Sequence, residues 1–142
     1  MTDKQLIRVK QVMKTKFDSV DGMATVQEAL EKMRHIETKC LIVNKRHDDD
    51  EYGLLLISDI ARKVLAVDRA PDRVNVYEIM AKPVISVRPS MDVRYTARMF
   101  ENFGLSMAPV LHSSEVLGVV SYESIVLGTV GVERPALPPP EE

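Results

Sequence analysis

The side chains of this sequence that have chemistry to offer fall into a few small groups. Cys40 is the single cysteine, and His35 precedes it by five residues. A cysteine nucleophile needs a base within hydrogen-bond reach and a third group to orient that base. These two flank a predicted helix-to-strand junction that gives them no reason to meet, so Cys40 reads as a buried small hydrophobe. His47, Asp48, Asp49, Asp50 and Glu51 are the densest run of metal-type side chains. The run lacks the glycine and the distant glutamate of a calcium loop, and consecutive carboxylates do not converge on one ion from an ordinary backbone. It reads as a solvated hairpin tip. Asp59 falls in the first turn of a helix predicted to start near Ser58, where a negative charge suits the helix dipole, and Ser121 and Ser124 read as turn or cap residues. The eight methionines, Met33, Met80 and Met107 among them, suit adaptable core filling. With no nucleophile beside a base, no metal set and no phosphate-cradling glycine loop, the expectation is a protein that is not an enzyme and needs no cofactor.

The elements that must position these residues follow from a repeat. Val12-Met13, Ser19-Val20 and Val26 return as Ile79-Met80, Ser86-Val87 and Val93, each 67 positions later. From Val26, the apolar residues Ala29, Leu30, Met33 and Ile36 mark one face of an amphipathic helix, and Thr96, Ala97, Phe100 and Phe103 keep the same frame from Val93. Thr25 with Glu28 has the form of a capping box, and Asp92 can cap the second helix. Short apolar runs at Cys40 to Val43 and Met107 to Leu111 have the length of buried strands. After a polar turn, Gly53-Leu-Leu-Leu-Ile and Gly118-Val-Val lead into helical text at Ser58 to Val67 and Tyr122 to Leu127. These two glycines lie 65 positions apart, which places two extra residues of the first copy within His47 to Tyr52, at a hairpin tip.

Each copy therefore predicts a short helical lead-in, strand, helix, two strands and a helix, too small to bury both faces of its sheet alone. The expected class is α/β (α+β): two β-α-β-β-α repeats with their sheets packed together. The first occupies 1–70 with its lead-in, the second 71–130, and a proline-rich tail, 131–142, is expected to be disordered. Ala66 to Arg73 reads as the linker.

At 142 residues and 45% hydrophobic content the chain suits one compact unit or two halves sharing a core. Nineteen basic and 21 acidic residues give a formal net charge of -2, which argues against a nucleic-acid partner needing a broad basic face. One cysteine requires no oxidising compartment. The first ten residues lack an apolar core of signal-peptide length, and no apolar run is long enough to span a bilayer. The expected setting is cytoplasmic.

The order of elements, with Val12-Met13 and Ile79-Met80 before the first strands, Met107-Ala-Pro-Val-Leu on the middle strand and Gly53-Leu-Leu-Leu-Ile-Ser-Asp-Ile at the last strand and helix, resembles a tandem CBS (cystathionine beta-synthase) domain pair, also called a Bateman module. The resemblance covers roughly Val9 to Leu127. It implies two repeats related by pseudo-twofold symmetry that form a non-catalytic regulatory module, usually a homodimer, with two clefts between the repeats where an adenosine-containing ligand such as AMP, ADP, ATP or S-adenosylmethionine binds and regulates a partner protein. The family's ligand signature is a glycine, two apolar residues, Ser or Thr, two variable residues and Asp. A carboxylate there accepts from both ribose hydroxyls, and the hydroxyl side chain suits a phosphate. Counted from Gly53, the aspartate position holds Asp59 but the hydroxyl position holds Leu56. Counted from Gly118, Ser121 supplies the hydroxyl and Ser124 replaces the aspartate. The resemblance favours the cleft with Asp59, completed by Lys82, Pro83, Val84 and Ile85 of the other repeat, with Lys82 or Arg62 meeting a phosphate. The two incomplete signatures also leave open a ligand-free dimerisation or interaction scaffold.

Overall fold

A computed structural model describes residues 6–131. The expected tail falls almost entirely outside them.

Helix α1 (Val9–Val12) is followed by strand β1 (Ser19–Val20), helix α2 (Val26–Glu31), strands β2 (Cys40–Val43) and β3 (Gly53–Leu56), and helix α3 (Ile57–Ile60), which runs on as a wide turn over Ala61–Leu65. A short 3-10 turn, Val76–Glu78, opens the second copy, and helix α4 (Val93–Phe103), strands β4 (Met107–His112) and β5 (Glu115–Ser121) and helix α5 (Tyr122–Val130) complete it. Strand β1 pairs in parallel with β2, and β2 antiparallel with β3. In the second copy β4 and β5 are antiparallel, and Val87 alone forms the parallel bridge, to Val110. Val20 pairs with Val43 in the same way, so Ser19-Val20 and Ser86-Val87 begin equivalent sheets.

Local sequence accounts for the helix starts. Thr25 Oγ1 accepts from the Glu28 N–H at 3.0 Å while Glu28 Oε1 accepts from the Thr25 N–H at 2.8 Å, and Asp92 Oδ1 accepts from the Arg94 N–H at 2.9 Å. Helix α4 ends at Gly104, whose φ of +67° is the left-handed cap that glycine adopts without a Cβ penalty.

The two copies are joined by an exchange of lead-ins. The N–H of Val9 donates to the carbonyl of Met91 and the N–H of Val93 to that of Ile7, at 2.8 and 2.9 Å. At the positions 67 residues away, the N–H of Val76 donates to Ala24 and that of Val26 to Val74, at 2.9 and 2.8 Å. Lys14 and Val119 exchange both backbone bonds, as do Ala81 and Leu54. The lead-in of each copy is thus hydrogen-bonded to the other, as pseudo-twofold symmetry demands. Packing agrees: Val74, Val76 and Ile79 join the core of α2, β2 and β3, whereas Val9 is buried with Val87, Val93, Phe100, Val110 and Val120. A third cluster, Cys40, Ile42, Leu54 and Val119 with Phe17, Val84 and Met107 against it, fills the seam between the sheets.

Helix α2 is shorter than the apolar spacing predicts, and Ile36, expected on its buried face, is 69% exposed. Asp18 explains the break: its two carboxylate oxygens accept from the N–H groups of Arg34 and His35, at 3.0 and 2.8 Å, and hold that segment out of the helix. The counterpart of Asp18 is Ile85, which has no acceptor to offer, and α4 continues to Phe103. Phe103, expected on the buried face, is 61% exposed.

Candidate functional site

Two hollows lie at the seam, one on each side of the pseudo-twofold axis. The first, of about 420 Å³, is lined on one wall by Leu54, Leu56, Ser58, Asp59 and Arg62 and on the other by Ala81, Pro83, Val84, Ile85 and the turn Gly104 to Met107. Strand β3 delivers the first wall and the exchanged lead-in of the second copy delivers the other. Asp59 and Arg62 therefore face one space with Pro83, Val84 and Ile85, which lie more than twenty positions further along the chain. The counterpart hollow, with Lys14, Glu37, Thr38, Lys39, Val119, Ser121 and Ser124, is only about 70 Å³.

The two hollows differ at equivalent positions. Phe17 stands at the position of Val84 and packs a larger side chain into the seam cluster. Asp18 stands at the position of Ile85 and ties down the segment before Ile36. Lys14 Nζ donates to the Glu37 carbonyl at 3.5 Å across the hollow's mouth. Ser121 and Ser124 are spent on each other: their hydroxyls lie 3.0 Å apart, and Ser121 Oγ caps α5 by accepting from the Ser124 N–H.

Asp59 is 8% exposed. It accepts from the Leu56 N–H at 3.3 Å and pairs with the Arg62 guanidinium, so carboxylate and cation share one wall of the open cleft. The helix-start role expected of Asp59 is thus present, and it leaves the carboxylate at the cleft surface. Lys82 lies elsewhere. Its ammonium bonds Asp50 Oδ2 at 2.8 Å, and its side chain borders a separate hollow of about 370 Å³ with Asn44, Arg46, Tyr77 and Met80.

Asp50 is the residue that sequence reasoning missed. It belongs to the acidic run expected to be a solvated tip, yet its carboxylate accepts from the Arg46 backbone N–H at 2.8 Å, the Arg46 guanidinium at 3.0 Å and Lys82, clasping the β2–β3 hairpin to the lead-in that carries Pro83 to Ile85. The two-residue insertion supplies the reach, and nothing in the local sequence distinguishes Asp50 from its neighbours. The Arg46 and Lys82 cations hold its carboxyl far below the usual carboxylate range. A carboxyl whose native pKa lies below its unfolded value of about 3.9 stabilises the fold above that pH, because the unfolded chain takes up its proton first as acid is added. The contribution is complete above about pH 4 and is lost as pH falls toward the depressed native value. Melting temperatures from pH 7 to pH 2 should accordingly fall less steeply below pH 4 for Asp50→Asn than for the unaltered chain; equal acid slopes would contradict the clasp.

Cys40 and His35 sit in separate surroundings. Burial pushes the Cys40 thiol up to about 11, too high for a thiolate nucleophile near neutral pH. His35 Nδ1 lies 3.7 Å from Glu37 instead. Among the described residues no group of three or more His, Cys, Asp or Glu side chains is placed to hold a metal ion, and no helix is long and apolar enough to cross a membrane.

The family model described as CBS domain matches the chain twice, at residues 9–66 and 76–128. An uncharacterised protein of Methanopyrus kandleri is 29% identical over 104 residues, 72% of this chain and 52% of that protein, so the chain spans about half the length of the relative it matches. Among solved structures, a hexameric CBS-CP12 protein from bloom-forming cyanobacteria is 35% identical and superposes with a TM-score of 0.84, covering 93% of this chain and 76% of that one. A CBS domain pair in complex with 5′-methylthioadenosine and S-adenosyl-L-methionine is 22% identical and superposes with a TM-score of 0.73, covering 89% and 98% of the two chains.

Proposed function

Because this chain belongs to the CBS domain family and carries two copies of the domain, we propose that it is a non-catalytic regulatory module that takes an adenosine-containing ligand into the cleft beside Asp59 and communicates its presence to a partner protein. The observation that carries this reading is the convergence of a buried carboxylate with Pro83 to Ile85 of the other copy around an open space of about 420 Å³. A carboxylate so placed suits the paired hydroxyls of a ribose, while apolar side chains on both walls suit a flat purine. The similar pair that holds 5′-methylthioadenosine and S-adenosyl-L-methionine supports the ligand class.

Both walls come from different copies, so occupancy favours whichever relation of the copies fits the ligand, and that difference in affinity is the only means by which binding biases a partner. A thermal-shift series with adenosine, AMP, ADP, ATP and S-adenosylmethionine tests the reading. Ligand at about a hundredfold over its dissociation constant adds about 2.7 kcal/mol of stability, whereas no response to any of the five at millimolar concentration would contradict it.

A second reading, an assembly scaffold, is favoured by the exposure of Leu65, Val67, Phe103, Val126 and Val130 and by the hexameric state of the similar CBS-CP12 protein. Sedimentation velocity separates the two: the scaffold predicts an oligomer, a homodimer at the least, whose size is indifferent to adenosine compounds, and the sensing module one whose shape or size responds to them.

A further inference from the structure

We infer that the Asp59 cleft is built for an uncharged adenosine bearing an apolar 5′ substituent and discriminates against 5′-phosphates. The inference rests on the proposed adenosine reading and specifies the ligand class within it. Among the described residues, the charged side chains on the cleft walls are Asp59 and Arg62, and they are paired with each other. A phosphate monoester brought into such a place needs charge-assisted donors to replace its hydration. A phosphate would have to share Arg62 with Asp59, and Lys82, next to Pro83 of the cleft wall, is committed to Asp50 on a different face.

The space beyond the carboxylate is mostly apolar. Leu56, Ser58, Ser106 and Met107 border both the cleft and a neighbouring groove of about 740 Å³, whose further walls include Leu30, Met33 and Ile57 and carry one cation, Lys39, against two carboxylates, Glu37 and Glu123, which leaves no excess of positive charge for a phosphate. Leu56 thus stands at the junction, presenting methyl groups where a hydroxyl would serve a phosphate, and the groove behind it offers room for a thioether or alkyl group.

Calorimetric titration of the full chain with 5′-methylthioadenosine, adenosine, AMP and ATP at one ionic strength tests the assignment. The expected order is 5′-methylthioadenosine tightest, at least tenfold tighter than AMP, with ATP weakest. Leu56→Ser, checked for folding by circular dichroism, should reduce the preference for 5′-methylthioadenosine over AMP at least fivefold. AMP binding as tightly as 5′-methylthioadenosine in the unaltered chain would overturn this inference and leave the adenosine reading standing; binding of none of the four would overturn both. A preference that survives Leu56→Ser unchanged would overturn the role assigned to Leu56.

Discussion

Gly118→Ala is expected to destabilise the protein by roughly 3 kcal/mol, the upper end of the range for an overfilled interior, and to lower the melting temperature by about 10 °C. A Cβ at this position would lie 2.5 Å from the Lys14 carbonyl oxygen and 3.2 Å from Met13 Sδ. Lys14 is the residue whose two backbone bonds to Val119 fasten the first lead-in to the second copy. The methyl group therefore cannot be absorbed by a side-chain rotation; it must lever the lead-in off its strand. The counterpart substitution, Gly53→Ala, places a Cβ 2.8 Å from Met80 Sδ and 3.2 Å from the Ala81 carbonyl. There the nearest atom belongs to a flexible thioether, so the cost should be smaller. Gly22→Ala, whose nearest atoms are 3.4 and 3.5 Å away, is the neutral control, expected within about 0.5 kcal/mol of the unaltered chain. Denaturant melts of the three variants check the order; a harmless Gly118→Ala would contradict the exchanged lead-ins.

Asp59→Asn is expected to leave the ligand-free fold within about 1 kcal/mol of the original while removing most of its response to adenosine compounds. The amide oxygen still accepts from the Leu56 N–H, and Arg62, whose side chain is 67% exposed, is solvated once released. What is lost is a charge-assisted acceptor worth about 1.5–3 kcal/mol. Affinity should fall by about one to two powers of ten, so a ligand concentration that stabilised the original by about 2.7 kcal/mol would stabilise the variant by about 0.4–1.4 kcal/mol. Ser124→Ala, in the closed counterpart hollow, should leave the response intact. The comparison is made by ligand-dependent melting, and an undiminished shift in Asp59→Asn would remove Asp59 from the site.

The repeat was legible because it is written in residues that local physics reads directly: Thr25 with Glu28 and Asp92 at helix starts, the run Cys40 to Val43 as a buried strand, Gly53 and Gly118 opening the last strands. Which core a lead-in joins is not a local property. Val9 and Val76 look alike in sequence, and only the packing of the two sheets sends each into the opposite copy. The truncation of α2 was hidden for the same reason, since Asp18 acts on Arg34 and His35 from a different element. The wall around Asp59 came from resemblance to a family, because no periodicity places Pro83 to Ile85 opposite β3. Val84 and Ile85 line the larger hollow while their counterparts Phe17 and Asp18 do not line the smaller one, a difference that acquires meaning only once the copies are superposed. Resemblance alone sets Lys82 beside a phosphate; in the fold Asp50, one of a run of look-alike acidic residues, binds its ammonium.

The proposal that one open cleft of the pair receives the ligand is tested most directly by a backbone NMR titration of the full chain with adenosine. Concentration-dependent shifts are expected at Leu56, Ser58, Asp59 and Arg62 on one wall and at Val84 and Ile85 on the other, with Ser121 and Ser124 unmoved. Shifts centred on Ser121 and Ser124, or none at Asp59 up to millimolar adenosine, would contradict it.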